Sequence, residues 1–267
     1  MPGRTGTARQ LSRRPAASNL GQVRTVAVVL AGGSGRRFGG MPKQLRVLAG
    51  RTLLEHCVDA FDQAPAVDEI LVVIAAGLAG QARDQLRGYR KLTGIVPGGE
   101  ARSDSTRAAI AAIVPPGEPA AAEQCNVLFH DAARPLIDQQ TIAACVAALD
   151  SYQAVGVVVA SPDTIVEVAD QTMRRVLPRQ TLARCQTPQG FRLSVIRAAY
   201  QRAAADPGFA AAAATDDCGV VLRYLPEVPV GAVTGSERNI KITYEADLTV
   251  AEALLRQSRP GSSVLPG

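Results

Sequence analysis

Four short runs of β-branched residues, separated by segments with helical periodicity, place the tightest constraint on how this 267-residue chain can fold. The runs lie at residues 26–30 (VAVVL), 69–74 (EILVVI), 126–129 (NVLF) and 154–159 (AVGVVV). Continuous apolar runs are typical of strands that are covered on both faces in a parallel sheet. Strands that alternate with helices form βαβ units. The sequence therefore predicts an α/β fold whose mostly parallel, Rossmann-like sheet carries helices on both faces.

Helical patterns fill the intervals between these runs. Helices are predicted at residues 52–64, 105–113, 139–151, 193–204 and 244–256, and a last strand is predicted near residues 228–233. Because βαβ crossovers are right-handed, the carboxyl ends of the parallel strands all lie along one edge of the sheet, where such folds bind ligands. We therefore expect the functional side chains at this edge.

The alternation stops after the fourth run. Two strand-like pieces at residues 164–168 and 174–177 flank a polar turn at residues 169–173, which predicts a β-hairpin arm over about residues 161–184. A two-stranded hairpin by itself is only marginally stable in water. We expect the arm to project from a single domain at residues 24–257 and to pack against another surface, such as a second subunit.

The net charge of +5 is concentrated at the amino terminus. Five arginines and no acids occur in the first 24 residues, whereas the remaining Lys and Arg residues equal the 24 acids in number. Residues 1–23 are therefore predicted to form a disordered basic leader, and the Pro/Gly/Ser-rich residues 258–267 a frayed tail. The neutral body, the absence of Trp and the 4% aromatic content argue against nucleic-acid binding.

The compartment is predicted from three further features. No stretch approaches the 18 uninterrupted apolar residues that suggest a membrane span. The leader lacks the apolar segment and the cleavage site of an export signal. The five cysteines include no C-x-x-C pair, which favours reduced, mostly buried thiols over disulfides or a zinc site. A cytoplasmic protein without a membrane partner is expected.

A glycine-rich segment at residues 30–43 (LAGGSGRRFGGMPK) directly follows the first predicted strand. Backbone N–H groups of glycine loops approach anions closely, and Arg36, Arg37 and Lys43 add positive charge, so the segment is expected to bind a polyphosphate. It lacks the Walker pattern G-x-x-x-x-G-K-[ST], and Phe38 stands where a dinucleotide fold has its third glycine. A merely flexible glycine loop is the alternative interpretation.

Six further segments follow this loop, at residues 98–105 (GGEARSDS), 130–135 (HDAARP), 163–164 (DT), 186–189 (QTPQ), 215–217 (TDD) and 239–243 (NIKIT). The loop resembles the L-A-G-G-x-G-x-R…P-K signature of sugar- and polyol-phosphate nucleotidyltransferases. Taken in order over about residues 26–255, all the segments together resemble the cytidylyltransferases that act on 2-C-methyl-D-erythritol 4-phosphate or ribitol 5-phosphate. Each motif alone is weak, whereas the ordered set is highly specific.

The resemblance implies that a phosphate oxygen of the acceptor attacks the α-phosphorus of CTP and that pyrophosphate leaves. Such chemistry depends on positioning and charge neutralisation, and it requires little proton transfer. The family positions imply that Arg37 and Lys43 act at the α-phosphate, and that Arg179 and Lys241 hold the acceptor phosphate. Mg²⁺ is the expected cofactor, held by CTP phosphates and water with no direct protein ligand.

The same resemblance implies a set of substrate-binding residues. They are Ala31, Gly32, Gly33, Ser34, Gly35, Arg36, Gly99, Arg102, Ser105, Asp131, Arg134 and Thr164. A helix cap or an ion pair with Arg134 is the alternative role for Asp131, and a cap or a helix-surface position is the alternative for Ser105. His130 is expected to be a hydrogen-bonded, partly buried histidine and not a base, and residues 215–217 are interpreted as a helix cap.

The resemblance also implies a homodimer formed through the arm, with Arg179 and Thr164 delivered toward the partner's site. Two acceptors compete. Val166 stands where methylerythritol-phosphate enzymes commonly have a lysine, which favours ribitol 5-phosphate together with the LAGG start of the loop. Residues 98–105 and 130–135 fit methylerythritol phosphate, which comes first as the more widespread activity and implies isoprenoid precursor synthesis. A non-catalytic nucleotide-binding module is the alternative from another class.

Overall fold

A seven-stranded sheet forms the centre of this computed structural model. The structure describes residues 23–32, 42–99, 101–114, 124–209 and 216–257. The strands in these residues are β1 (Arg24–Ala31), β2 (Val47–Leu48), β3 (Arg51–Thr52), β4 (Glu69–Ile74), β5 (Leu92–Pro97), β6 (Cys125–Asp131), β7 (Ala154–Ala160), β8 (Val166–Ala169), β9 (Thr172–Val176), β10 (Ala183–Arg192) and β11 (Val230–Thr234). β2 pairs with β3 and β8 pairs with β9, and the other strands make the central sheet.

The strand order of the central sheet is β11-β7-β10-β6-β1-β4-β5. β10 runs antiparallel to its neighbours β6 and β7, and every other neighbouring pair is parallel. The predicted mostly parallel sheet is thus confirmed, and the four apolar runs are all strands in it. The carboxyl ends of β1, β4 and β6 lie side by side at one edge, which is where ligands bind in such sheets.

Helices cover both faces of this sheet, as predicted. In the described part of the chain they are α1 (Leu53–Gln63), α2 (Ala79–Gln85), α3 (Arg102–Ile113), α4 (Gln139–Ala148), α5 (Leu193–Ala204), α6 (Asp217–Tyr224) and α7 (Ala246–Gln257). Successive side chains of a strand point to opposite faces. Ala27 and Val29 therefore pack with α1, α2 and α4, whereas Val26 and Val28 pack with α3, α5 and α6.

Short polar side chains cap α1, α4 and α6 in the described residues, and the caps of α1 and α6 show the contacts involved. At α1, the Thr52 hydroxyl accepts from the backbone N–H of Glu55 at 3.2 Å, and the Glu55 carboxylate accepts from the N–H of Thr52 at 2.8 Å. At α6, the Asp216 carboxylate accepts from the N–H of Gly219 at 2.7 Å. This bond confirms the helix cap predicted within residues 215–217, of which Thr215 lies outside the described residues.

β10 has no counterpart among the predicted strands, because its sequence ARCQTPQGFR is largely polar. Several of its polar side chains are buried, and hydrogen bonds to specific partners compensate for that burial. Asn239 Nδ2 donates to the carbonyl of Thr187 at 2.8 Å, and Gln189 Oε1 accepts from the backbone N–H of Asp217 at 2.9 Å. Polar groups are buried when they find such partners, and a hydrophobic pattern cannot reveal them. β5, a half-buried edge strand, is missed for the related reason that its apolar run is interrupted by Gly94.

The hairpin arm forms as predicted, with a shorter turn. Asp170 and Gln171 have φ angles of 50° and 59°, which is the left-handed conformation of a two-residue type I′ turn between β8 and β9. Val168, Met173 and Val176 in the arm are 59%, 66% and 62% exposed. Within the described part of this chain, these apolar side chains of the arm are therefore largely uncovered.

Two predicted segments fall almost entirely outside the described residues. They are the basic leader at residues 1–23, of which only Val23 is described, and the tail at residues 258–267. No helix in the described ranges has the length and apolar character needed to cross a membrane. The cysteines are free thiols, of which Cys185 is exposed and the other four are buried, in agreement with the mostly buried thiols expected.

Truncation of Val127 tests how far the central sheet depends on close packing. Val127 is fully buried in β6, so in Val127→Ala the lost methyl groups and the remaining cavity should lower the free energy of unfolding by about 2–3 kcal/mol. Val47 is 59% exposed, and the same truncation there, Val47→Ala, should change it by less than about 0.5 kcal/mol. Urea unfolding followed by circular dichroism measures both, and equal losses would contradict the prediction.

Candidate active site

A cavity of about 190 Å³ opens at the carboxyl edge of the sheet. β1 ends against it at Ala31, β6 ends against it at Asp131, and α3 begins beside it at Arg102. The residues of the predicted site that line it are Ala31, Gly32, Lys43, Gly99, Arg102, Ser105, Asp131 and Lys241. The other lining residues are Leu30, Gln44, Ala101, Ala132 and Ala133. The structure thus brings together residues from four of the segments singled out in the sequence, at residues 30–43, 98–105, 130–135 and 239–243.

Glycines allow the backbone to pass close to α3 on this side of the cavity. A Cβ atom added to Gly32 would lie 2.8 Å from the Ser105 hydroxyl oxygen, and one added to Gly98 would lie 2.7 Å from it. A Cβ atom on Gly99 would overlap the side chain of Asp104. Only glycine fits these positions without a shift of the neighbouring groups, which explains the GG pair that follows β5.

Ser105 has neither of the alternative roles considered for it. Its side chain is buried beneath Gly32 and Gly98, so it is not a helix-surface residue. It is not a cap, because the N-cap of α3 is Ala101 and the carboxylate of Asp104 accepts from the N–H of Ala101 at 3.1 Å. Ser105 therefore presents a hydroxyl at the wall of the cavity.

Four charged side chains of alternating sign form an ionic chain that begins at one wall of the cavity and continues behind it. Lys241 Nζ lies 2.8 Å from Asp131 Oδ2, and Arg102 Nε lies 3.5 Å from Asp131 Oδ1. Arg102 Nη1 in turn lies 2.7 Å from Asp217 Oδ2. Lys241 is half-exposed, Asp131 and Arg102 are mostly covered, and Asp217 is fully buried. The ionic chain thus runs from the surface into the interior.

The cations of this chain keep Asp131 ionised. Burial by itself would raise the pKa of the Asp131 carboxyl, but the charges of Arg102 and Lys241 outweigh that effect and hold the pKa well below its usual range. Burial lowers the pKa of Arg102, and the carboxylates of Asp217 and Asp131 more than reverse this, so the pKa is raised. Asp131 pairs with these two cations and caps none of the described helices for which an N-cap is assigned, and it makes no direct ion pair with Arg134, although the charge of Arg134 also lowers its pKa.

Arg134 lies behind the cavity and does not line it. Its side chain is buried, and the guanidinium donates to the carbonyl of Asn239 at 2.8 Å and to that of Cys185 at 3.3 Å. Burial lowers the pKa of Arg134. The guanidinium ties the end of β6 to β10 and to the segment that carries Lys241. Arg134, which the sequence placed among the binding residues, thus lies outside the cavity lining and holds in place the segments that carry Lys241 and Asp131.

His130 is buried and hydrogen-bonded, in line with the expectation that it is not a base. Its Nε2 lies 3.0 Å from the carbonyl of Arg134, which can only accept, so Nε2 carries the proton. Nδ1 is then the acceptor, and it lies 3.1 Å from the Thr187 hydroxyl, which donates to it. The oxygen of the same hydroxyl accepts from the backbone N–H of Asp131 at 3.1 Å. Burial lowers the pKa of His130 to about 4. A neutral His130 thus orients Thr187, and Thr187 holds the backbone of Asp131.

Two further predicted site residues that the structure describes do not line the cavity. Thr164 and Arg179 are exposed residues of the arm, and neither lines the cavity. Arg179 begins a short 3₁₀ turn, Arg179–Thr181, at the base of β10. The predicted residues Gly33, Ser34, Gly35, Arg36 and Arg37 lie outside the described residues.

Two residues that sequence reasoning did not place in the site belong to its surroundings. Gln44 is buried and lines the cavity next to Lys43. Asp217 belongs to the ionic chain, although the sequence favours a capping role for residues 215–217. The doubled acid was the available signal, but it does not tell which carboxylate caps α6 and which faces inward. Only the packing of α6 against α3 and α5 places Asp217 next to Arg102.

Known proteins match this chain over most of its length. The family model for 2-C-methyl-D-erythritol 4-phosphate cytidylyltransferase (IspD) matches residues 25–257. The 2-C-methyl-D-erythritol 4-phosphate cytidylyltransferase of Thermobifida fusca (strain YX) is 54% identical over 241 residues, which cover 87% of this chain and 94% of that protein. The bifunctional ribulose 5-phosphate reductase/CDP-ribitol pyrophosphorylase Bcs1 of Haemophilus influenzae is 39% identical over 241 residues, which cover 88% of this chain and 49% of Bcs1.

A solved structure shares the fold. The crystal structure of 4-diphosphocytidyl-2C-methyl-D-erythritol synthase from Anaerococcus prevotii DSM 20548 aligns with a TM-score of 0.75 and 28% identity. The alignment covers 87% of this chain and 98% of that one. The mostly parallel sheet and its helices are thus an arrangement that a solved nucleotidyltransferase also has.

The burial of neutral His130 predicts a pH dependence of stability. The unfolded chain binds a proton at this histidine below pH 6.5, whereas the native protein binds it only near pH 4. Since the unfolded state binds more protons in this window, the free energy of unfolding should fall by up to about 3 kcal/mol as the pH drops from 7 to 4. Urea unfolding at several pH values measures the slope.

The variant His130→Gln should flatten that slope, because a glutamine amide can still donate to the carbonyl of Arg134 but does not titrate. His56→Gln makes the same change at the second of the two histidines in the chain and is the matched control, which should keep the slope that His130 contributes because His130 remains in place. Parallel pH profiles for the wild type and His130→Gln would show that His130 is not the responsible group.

Proposed function

This chain belongs to the 2-C-methyl-D-erythritol 4-phosphate cytidylyltransferase family, and we propose from that premise how its residues carry out the reaction. It is a CTP-dependent nucleotidyltransferase. It transfers CMP from CTP to 2-C-methyl-D-erythritol 4-phosphate, releases pyrophosphate and forms 4-diphosphocytidyl-2-C-methyl-D-erythritol. The observation that supports the assignment of roles is a single cavity that Lys43, Arg102 and Lys241 share with the ionised Asp131. The expectation of an enzyme is confirmed by the family, and the non-catalytic module is set aside.

The chemistry is an in-line displacement at phosphorus. A phosphate oxygen of the acceptor forms a bond to the α-phosphorus of CTP, the bond from that phosphorus to the pyrophosphate oxygen breaks, and the electron pair leaves with pyrophosphate. Two anions must approach each other, so the principal barrier is charge repulsion and loss of orientation. Lys43 at the cavity wall, together with Arg37 of the same glycine-rich segment, neutralises charge at the α-phosphate.

Lys241 holds the acceptor phosphate in this proposal. Its ammonium group is half-exposed and paired with Asp131 Oδ2 at 2.8 Å. A phosphate dianion carries more charge than this carboxylate and can draw the flexible ammonium toward itself. Asp131 remains paired with Arg102 and limits the total positive charge, so the cavity attracts anions without losing the order of its own side chains.

The nucleoside part of CTP occupies the side of the cavity formed by Ala31, Gly32, Gly99 and Ser105. The glycines let the base and ribose approach the backbone closely, and the buried Ser105 hydroxyl supplies a hydrogen bond at that wall. Residues 33–36 of the glycine-rich segment follow directly from this wall and bind the triphosphate with their backbone N–H groups.

The residues present fit Mg²⁺ that is carried by the substrate. Asp131 is the one carboxylate among the lining residues that the structure describes, and the described residues contain no group of three side chains that could cage a metal ion. Mg²⁺ binds in this way, through substrate phosphates, water and at most one or two carboxylates. When bound, the ion neutralises charge on the leaving pyrophosphate. Asp131 is the residue available to orient its water ligands.

The arm supports a homodimer in which each subunit completes the site of the other. A lone hairpin is marginally stable, yet Val168, Met173 and Val176 expose apolar surface on it. Arg179 and Thr164 do not line the cavity of their own chain. Packing of the arm against a second copy covers the apolar side chains and delivers Arg179 to the acceptor phosphate in the partner's cavity.

Ribitol 5-phosphate is a second candidate acceptor, favoured by Val166 and by the LAGG start of the glycine-rich segment. Val166 begins β8 in the arm and does not line the cavity of its own chain. The relative from Haemophilus influenzae, named for a CDP-ribitol pyrophosphorylase, is 39% identical, compared with 54% for the Thermobifida fusca cytidylyltransferase. The higher identity supports methylerythritol phosphate as the main acceptor.

Pyrophosphate release from CTP and Mg²⁺ tests the acceptor directly. Turnover is expected with 2-C-methyl-D-erythritol 4-phosphate, and kcat/KM with ribitol 5-phosphate should be at least about tenfold lower. Lys43→Ala should lower kcat about 10²-fold or more, because a charge at the α-phosphate is lost. Lys91→Ala, the same truncation outside the cavity, is the control and should retain kcat. Turnover with ribitol 5-phosphate alone would reverse the acceptor assignment, and silence with both acceptors would contradict the proposed function.

Subunit complementation tests the role of the arm. Arg179→Met removes the arm cation and Lys241→Met removes the cavity cation, so each variant alone should lose most of its activity. If the arm serves the partner's cavity, a mixed dimer of the two variants contains one intact site, and activity should return when the variants are mixed. The control mixes two preparations of the Arg179→Met variant, in which every dimer lacks the arm cation, and it should show no recovery of activity. A fully active monomer, or no recovery in a mixture shown to contain mixed dimers, would contradict this arrangement.

A further inference from the structure

Asp217 is a fully buried carboxylate that lies behind the cavity and outside its lining. A buried carboxylate is rare unless it is paired. Asp217 Oδ2 lies 2.7 Å from Arg102 Nη1, and Oδ1 accepts from the Thr106 hydroxyl at 2.9 Å and from the Tyr200 hydroxyl at 2.7 Å. The proposed mechanism uses none of Asp217, Thr106 and Tyr200, so this cluster requires its own explanation.

The position of Asp217 is determined by more than its side chain. Its backbone N–H and that of Cys218 both donate to Gln189 Oε1, at 2.9 and 3.2 Å, so the start of α6 is held against β10. Thr106 belongs to α3 and Tyr200 to α5. Because contacts from a strand and two helices fix Asp217, it cannot follow Arg102 if that side chain moves. It is the rigid end of the ionic chain.

Arg102 is the member of the chain that connects this rigid end to the cavity. Its guanidinium lies between two carboxylates, with Nη1 toward Asp217 and Nε toward Asp131. Two contacts at different nitrogens fix the plane of a guanidinium. Without the charge of Asp217, only Asp131 would remain as a counter-charge, and Arg102 would compete with Lys241 for it.

We propose that Asp217 is a positioning residue for nucleotide binding, which acts by fixing the guanidinium of Arg102 at the wall of the CTP cavity. The proposal rests on the proposed function, because that function places CTP in the cavity that Arg102 lines. A carboxylate that merely ties three helices together would contribute stability and leave the affinity for CTP unchanged. The two roles therefore differ in what a change at Asp217 does to CTP binding.

The test compares Asp217→Asn with Asp216→Asn. The first removes the buried counter-charge and should raise both the Kd and the KM for CTP about tenfold or more, with a much smaller change in the KM of the acceptor. The second makes the same change at the neighbouring cap, where asparagine serves as well as aspartate, and should leave CTP affinity unchanged. Isothermal titration with CTP and Mg²⁺ and steady-state kinetics measure these quantities.

Further variants keep the test decisive if Asp217→Asn folds poorly. Tyr200→Phe removes one hydrogen bond from Asp217 and keeps every charge, so it should weaken CTP binding by a smaller factor. Asp217→Glu keeps a carboxylate and should recover part of the affinity lost in Asp217→Asn. The double variant Arg102→Met/Asp217→Asn leaves no unpaired charge at these two positions and should recover thermal stability, yet bind CTP no better than Arg102→Met alone.

Three results would contradict the role of Asp217, the proposed function or both, and each result identifies which of the two is wrong. If Asp217→Asn and Tyr200→Phe lose stability but keep wild-type CTP affinity, Asp217 has only a structural role. If the wild type binds CTP but turns over neither acceptor, the proposed function is wrong, and the CTP titrations still decide the role of Asp217. If no binding of CTP to the wild type can be measured, both proposals are wrong.

Discussion

Neutralising the negative charge at the end of β6 is the requirement on which the arrangement of the site depends. The middle of this strand, Val127 to Phe129, is fully buried among apolar side chains, and Asp131 follows only two positions later. An isolated carboxylate at such a place costs several kcal/mol. Arg102 and Lys241 provide the opposite charges, and Thr187 accepts from the backbone N–H of Asp131. These partners come from α3, β10 and the segment after β11, so one carboxylate determines where three parts of the fold meet.

The same charges explain why the cavity suits a reaction between two phosphates. Lys43, Arg102 and Lys241 without any acid would repel one another and disorder the wall that they form. Asp131 and the buried Asp217 alternate with two of these cations, so the positive side chains are held in place at low net charge. Catalysis of nucleotidyl transfer relies on charges that are already oriented. The ionic chain supplies that order, and its cations hold the pKa of the Asp131 carboxyl well below its usual range, so that carboxyl stays ionised.

Within the central sheet, the strands that continuous apolar runs predicted are those stabilised by apolar burial. β1, β4, β6 and β7 are continuous apolar runs, and each is a strand in the central sheet. β10 crosses the same sheet between two of them but is held by the hydrogen bonds of Thr187 and Gln189, and no periodicity marks it. The features of the site likewise fall into those that the sequence predicted and those that only the structure showed. Glycines that follow strands predicted the cavity, whereas the buried role of Arg134 came from carbonyl partners on distant segments.

The sequence by itself determined the alternation of strands and helices, the sheet edge that binds the ligand and the family to which the ordered motifs belong. These properties depend on local periodicity and on residues that are close together along the chain. Only the tertiary structure decided which of two adjacent aspartates caps α6 and which one faces Arg102, and that Asp131 pairs with Lys241 and not with Arg134. Those choices depend on partners such as Lys241 and Asp131, 110 positions apart, and on the cost of burying a charge. Local sequence does not encode that cost, because it arises only when the chain has folded around the charged group.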